Sequence, residues 1–187
     1  MSPSEDWPNN LIFGAHNYYS NLFKSINPTE FEEILNVVEP KVTSLMNQEL
    51  GQMFNEDEVR LALKQMYPLK VPGPNGMPPL FFQHFRSTGG TVATTMVLDF
   101  LNLGIFPPEF NNTHTVLNPK VKEPKRITEY RSISLCNVVY KIASKAIANR
   151  LKKILPFVVS DTQSAFVHGK LITDNVLVAF ETMHHIC

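Results

Sequence analysis

Seven cations lie close together in this chain: Lys120, Lys122, Lys125, Arg126 and Arg131, then Lys141 and Lys145. Side chains of this type do one kind of chemistry well. Fixed ammonium and guanidinium groups donate hydrogen bonds to phosphate oxygens, and a guanidinium fork holds two oxygens at once. The net charge of the whole chain is zero, but the charges are unevenly placed. Residues 1–58 carry ten acids against Lys24 and Lys41, whereas residues 118–153 carry ten bases against Glu123 and Glu129. So concentrated a basic block fits a polyanionic partner. It fits equally an acidic segment folding against a basic one.

Other chemistry finds little support. His184 and His185 have no thiol or carboxylate at metal-ligand spacing, and Cys136 lies in an apolar passage between expected elements. The strings G-x-S-x-G, G-x-x-x-x-G-K and H-E-x-x-H are absent. Beyond residue 58 the acids Asp99, Glu109, Glu123, Glu129, Asp161, Asp174 and Glu181 stand singly, the two aspartates at 161 and 174 at expected helix starts. Cys136 and Cys187 are too few for a disulfide framework, so a reducing, intracellular setting is expected. The acidic start of the chain is unlike a secretory signal, and no apolar run suits a membrane span, so no membrane partner is expected.

The cations need elements to position them. Residues 113–119 and 131–135 read as two strands, with Ile133 and Leu135 alternating against Ser132 and Ser134 as in a half-buried strand. The basic loop between them is long for a hairpin and is expected to be mobile. A long helix should run from 137 to 155 and bury Val139, Ile142, Ala143, Ala146, Ile147, Leu151 and Ile154. Its other face carries Lys141, Lys145, Asn149, Lys152 and Lys153, and Pro156 should close it.

Upstream, residues 1–27 read as a loosely ordered lead-in with one anchoring turn around Trp7, Tyr18, Tyr19, Leu22 and Phe23. A helix should open after Asn27, with Pro28 first and a stripe of Phe31, Ile34, Leu35 and Val38, and end at Pro40. Asn55 and Glu58 form a capping-box pattern ahead of Val59, Ala62, Leu63 and Met66. The span 70–79 must be a stiff turned loop; its glycines either cradle a phosphate on backbone N–H groups or simply make turns. A short helix over 80–85, a break at Gly89-Gly90, a helix lined by Val92, Met96, Phe100 and Leu103 with Gly104 past its end, and a last helix over 174–185 complete the pattern.

Five strings now occur in a telling order: 70–78 (K-V-P-G-P-N-G-M-P), 116–122 (V-L-N-P-K-V-K), 130–137 (Y-R-S-I-S-L-C-N), 148–151 (A-N-R-L) and 163–175 (Q-S-A-F-V-H-G-K-L-I-T-D-N). Together they resemble the reverse transcriptase of LINE-type (non-LTR) retrotransposons of the sort common in plant genomes. The resemblance covers about 55–185, with a looser likeness upstream. It implies an α+β, helix-rich chain: an acidic helical lead-in over 1–54, then over 55–187 the fingers and early palm of a right-hand polymerase, without the catalytic palm. By the same resemblance, Lys120 and Arg131 match fingers residues that contact the triphosphate of an incoming nucleotide. Gln163, Phe166, Gly169 and Lys170 match a segment near template and primer. An RNA template or RNA/DNA duplex is the implied partner, and a nuclear location follows by analogy.

The chain departs from the family pattern in places. Asn75 stands for an aspartate, Asn118 for an apolar residue, Ser132 and His168 for prolines, and Lys170 for an arginine. The family binds Mg²⁺ on aspartates in D-x-x-x-A-[FY]-D and [FY]-A-D-D strings, and neither occurs here. No catalytic residue, metal site or cofactor is therefore assigned. The leading expectation is a truncated, inactive fragment with residual template binding. The alternatives are a segment of an active RNA-directed DNA polymerase completed by downstream sequence, and a helical interaction module using the stripe from Phe31 to Val38.

Overall fold

The core grows from one short helix with a well-made start. In α4 (Glu56–Lys64), the Asn55 side chain accepts the Glu58 N–H at 3.0 Å, and the Glu58 carboxylate accepts the Asn55 N–H at 3.1 Å. This is the capping box that the sequence pattern predicts. The helix buries Val59, Ala62 and Leu63, and Met66 just past its end. They pack with Phe82, with Ala93 and Val97, and with Val138, Val139, Ile142, Ala143 and Ala146.

The computed structural model describes residues 11–27, 29, 31–160, 163, 169 and 171–186. The helices are α1 (Leu11–Leu22), α2 (Glu32–Leu35), α3 (Ser44–Leu50), α4, α5 (Pro79–His84), α6 (Thr91–Leu103), α7 (Val138–Val158) and α8 (Ile172–Ile186). One antiparallel hairpin, β1 (Thr113–Pro119) with β2 (Tyr130–Cys136), lies between α6 and α7. The chain is thus helix-rich around a two-stranded sheet.

Several sequence expectations give way to packing. The lead-in holds a three-turn helix, α1, whose Tyr18 and Tyr19 meet edge to face while Tyr19 stacks on Phe23 just past the helix end. The helix expected after Asn27 shrinks to the four residues of α2, and Asn27 itself has φ of 44°. Its intended stripe, Phe31, Leu35 and Val38, is exposed. A single turn with no surface to bury against does not propagate. Residues 44–50, for which no helix is expected, form α3 with Thr43 as N-cap.

Gly89-Gly90 is no break. The chain passes through a π-helical turn, Arg86–Gly90, directly into α6. The buried face of α6 is Ala93, Thr94 and Val97, leaving Val92 and Leu103 exposed; Gly104, with φ of 71°, ends it as expected. Pro156 does not close α7, which runs on to Val158. The proline removes one N–H near the helix end, where the carbonyl it would have met belongs to exposed Lys152 and can turn to water.

Candidate nucleic-acid interface

The basic hairpin is held by its own loop. The Lys120 N–H donates to the Glu129 carbonyl at 2.7 Å, and the Lys120 ammonium donates to the Thr128 carbonyl at 2.7 Å. The Glu129 carboxylate accepts the backbone N–H of Lys125 at 2.5 Å and of Arg126 at 3.1 Å. These two amides, Lys125 first, hold the Glu129 carboxyl below its ordinary pKa. The length of this span predicts mobility; the structure shows it closed by internal bonding, because an acid and a lysine both turn back onto the backbone.

Register decides where the charges point. Arg131 pairs with Asn118, Ile133 with Val116 and Leu135 with His114, so these six share one face. Arg131 is exposed and makes no ion pair with Glu129, whose carboxylate is occupied by the loop. Asn118 is exposed too, so it needs no partner. The expected alternation of β2 fails here. Ile133 is 44% exposed while Ser132 is half-buried, on the side that faces α1. Between α1 and that side lies a cleft of about 690 Å³, lined by Tyr19, Phe23, Ser132 and Ser134 among others.

Lys122, Lys125 and Arg126 are exposed on the hairpin loop. Lys141 and Lys145 sit half-buried on the first turns of α7. The Lys141 ammonium donates to the Val71 carbonyl at 2.7 Å, which ties α7 to the turned loop. Burial, and then the neighbouring charge of Lys70, lower its pKa from the ordinary lysine value. Gln163 and Gly169 are exposed, the latter with φ of 83°. Phe166 and Lys170 lie outside the described residues.

The loop over 70–79 commits three of its backbone donors to turn bonds and to Asn137. The Asn75 N–H donates to Asn137 Oδ1 at 3.1 Å, the Gly76 N–H to the Gly73 carbonyl at 3.0 Å, and the Met77 N–H to Asn75 Oδ1 at 3.2 Å. With these donors taken, turn-making is the role that stands. Nor do the residues present fit a two-metal centre: among the described residues no three His, Cys, Asp or Glu side chains converge.

Arg150 is the important residue that the charge pattern hides. It lies on the buried face of α7, 7% exposed, with its guanidinium 3.5 Å from the centroid of the Phe54 ring. Its Nε meets Glu58 Oε1 at 2.7 Å and Nη2 meets Glu58 Oε2 at 2.8 Å. Nη2 also donates to the Met53 carbonyl at 2.8 Å, and Nη1 to the carbonyls of Leu50 and Gln52. All five N–H donors are matched. The signal was available, since Ala143, Ala146, Arg150 and Ile154 recur at helical spacing within one apolar face.

Arg150, foremost by its hydrogen bonds, lowers the Glu58 pKa below its ordinary value. A carboxyl with a depressed folded pKa contributes stability above the unfolded pKa and loses it as pH falls through the folded one. Urea midpoints should therefore decline on acidification below pH ~4.5, and Glu58→Gln should flatten that decline. An equal decline in the variant would remove Glu58 as its source.

No family model matches the chain. It is 32% identical over 185 residues to the "Transposon TX1 uncharacterized 149 kDa protein" of Xenopus laevis. The chain is thus similar to a stretch of a transposon protein. The match takes in 98% of the chain but only 14% of that protein's length. The exposed hairpin, α7 and the Arg150 anchor all fall within the shared span, which is nearly the whole chain. Among the described residues, no helix of this sequence is long and apolar enough to cross a membrane.

Proposed function

We propose that this chain is the fingers and early palm portion of a LINE-type (non-LTR) reverse transcriptase, of the sort common in plant genomes. Its own contribution is to hold an RNA template or RNA/DNA duplex on the basic hairpin and the start of α7. One observation carries this reading. The cations Lys120, Lys122, Lys125, Arg126 and Arg131 stand exposed, and the Glu129 carboxylate, bound to the amides of Lys125 and Arg126, forms no ion pair with them although it attracts the side chains of those two. Exposed and in no ion pair among the described residues, they are available to phosphates, Lys120 with the donors that its bond to the Thr128 carbonyl leaves. The transposon relative and the five ordered strings support the polymerase descent. Without the paired aspartate strings, these 187 residues alone do not polymerise DNA. Of the stripe from Phe31 to Val38, on which the interaction-module alternative rests, only Glu32–Leu35 is helical, and Phe31, Leu35 and Val38 are exposed.

Fluorescence anisotropy of a primed RNA template tests the reading. Changing Lys120, Lys122, Arg126 and Arg131 together to Gln should weaken binding at least tenfold near ~0.1 M salt. The slope of log affinity against log salt should fall by about one for each phosphate that is no longer neutralised. Unchanged affinity and slope would sink the proposal.

A further inference from the structure

A second cationic cleft lies away from the hairpin, between α4, α5 and the π-helical turn. Arg60 and Lys64, one turn apart on α4, and Arg86, at the start of the turn, line a space of about 190 Å³. Its apolar lining is Leu61, Leu63 and Phe82, and among the described residues no acid lines it. Glu56 lies just outside and pairs with Arg60 at 2.8 Å, but both side chains are more than half exposed. An exposed pair of this kind, one helical turn apart, is weak and readily exchanged.

The frame around the cations is braced. Gln83 Nε2 donates to the carbonyls of Leu63 and Met66 at 2.9 and 3.0 Å, fixing α5 to the end of α4. Arg86 Nε donates to the Gln83 carbonyl at 3.1 Å, which orients the guanidinium and leaves its terminal nitrogens without an acceptor among the described residues. Thr91 Oγ1 donates to the Arg86 carbonyl at 3.0 Å. The π turn also demands its glycines: a Cβ on Gly90 would come within 2.9 Å of the Phe82 carbonyl oxygen, and one on Gly89 within 2.8 Å of the Phe81 ring. Turns of this wide type are uncommon and gather at functional sites.

We propose that this cleft binds a phosphate group of the nucleic-acid backbone, as a contact additional to the hairpin. Three cations and no acid among the described residues line a space roomy enough for a phosphate, and phosphate oxygens would satisfy the Arg86 terminal nitrogens and the Lys64 ammonium together. The inference rests on the nucleic-acid reading above; a free phosphate or mononucleotide shares the chemistry and is the other source.

The variant Arg60→Gln with Lys64→Gln keeps helix-forming side chains at exposed positions and leaves Arg86 in place. Against a 20-nucleotide single-stranded RNA, it should weaken binding about tenfold near ~0.1 M salt and lower the salt slope by about one to two. That loss should add to the loss in the hairpin variant. In parallel, inorganic phosphate titrated into the wild-type chain should shift the Gly90 and Thr91 amide resonances, and RNA should reverse the effect by competition. Hairpin-dependent RNA binding with an unchanged slope in Arg60→Gln, Lys64→Gln would overturn the proposal while leaving the broader function standing. Phosphate shifts that RNA fails to displace would reassign the cleft to a free anion, and shifts produced by a phosphopeptide but not by RNA would overturn it as well. If the wild-type chain binds no RNA, the broader function fails; the phosphate titration then shows whether the cleft holds an anion at all.

Discussion

Arg150→Ala is expected to lower stability by about 3–5 kcal/mol, the usual range for removing one partner from a buried ion pair. Three sets of interactions disappear together: the bidentate pairing with Glu58, the carbonyl bonds to Leu50, Gln52 and Met53, and the stack on Phe54. The loss is a large share of the roughly 5–15 kcal/mol that holds a domain together. It should also be selective. Arg150 is what binds the chain between α3 and α4 to α7, so amide exchange at residues 50–54 should accelerate ahead of the Val138–Ile142 core. Arg150→Lys keeps a charge but has only three donors and no fork, and should recover less than half of the loss. Urea titration with hydrogen exchange checks both points. An Arg150→Ala midpoint equal to wild type, or uniform loss of protection, would mean that Arg150 is a passenger on α7.

What was legible in the sequence was local. The Asn55–Glu58 box depends on residues three apart, and the Gly104 terminus on one left-handed residue; both are read directly from short patterns. Helical spacing likewise placed Val59, Ala62, Leu63 and Met66 in the core. Helical spacing put Arg150 on the buried face, but its partner Glu58 was illegible because it lies 92 residues away, and one arginine within a basic block looks like the rest. The same block misled in the other direction. Ile147 and Leu151 fit the buried face of α7 by spacing, yet each is about 40% exposed, while Arg150 is buried. The exposure of Ile133 on β2 depends on what covers that face of the hairpin, and nothing within the strand reports it. At the candidate interface the cations could be counted but not sorted. Spacing along the chain does not tell that Lys120 and Lys141 turn onto carbonyls while Arg131 stays exposed.

The turned loop over 70–79 supplies the second large effect. Gly73→Ala should cost about 2–6 kcal/mol, from overpacking of ~1–3 and an orphaned buried acceptor of ~1–3. A Cβ at this position would lie 2.4 Å from Asn137 N and Cys136 C, and 2.6 Å from Cys136 O. Every one of these atoms is backbone, at the joint where β2 becomes α7, so no side chain can swing aside. The loop must lift, which breaks the bond from the Asn75 N–H to Asn137 Oδ1 and strains the Lys141 bond to Val71. Asn137 is 1% exposed, and water cannot replace the missing donor. Gly76→Ala is the matched control: its φ is 68°, but nothing lies within 4 Å of an added Cβ, so only the ~1–2 kcal/mol of left-handed strain applies. Thermal melts should separate the two, at about 2–4 °C per kcal/mol for a chain of this size. Because the loop seats on the end of the strand that carries Arg131, Gly73→Ala should also weaken RNA binding at temperatures where the chain remains folded. Equal melting of the two variants would show that the loop is not seated on the joint, and intact RNA affinity in Gly73→Ala would show that the hairpin is positioned without it.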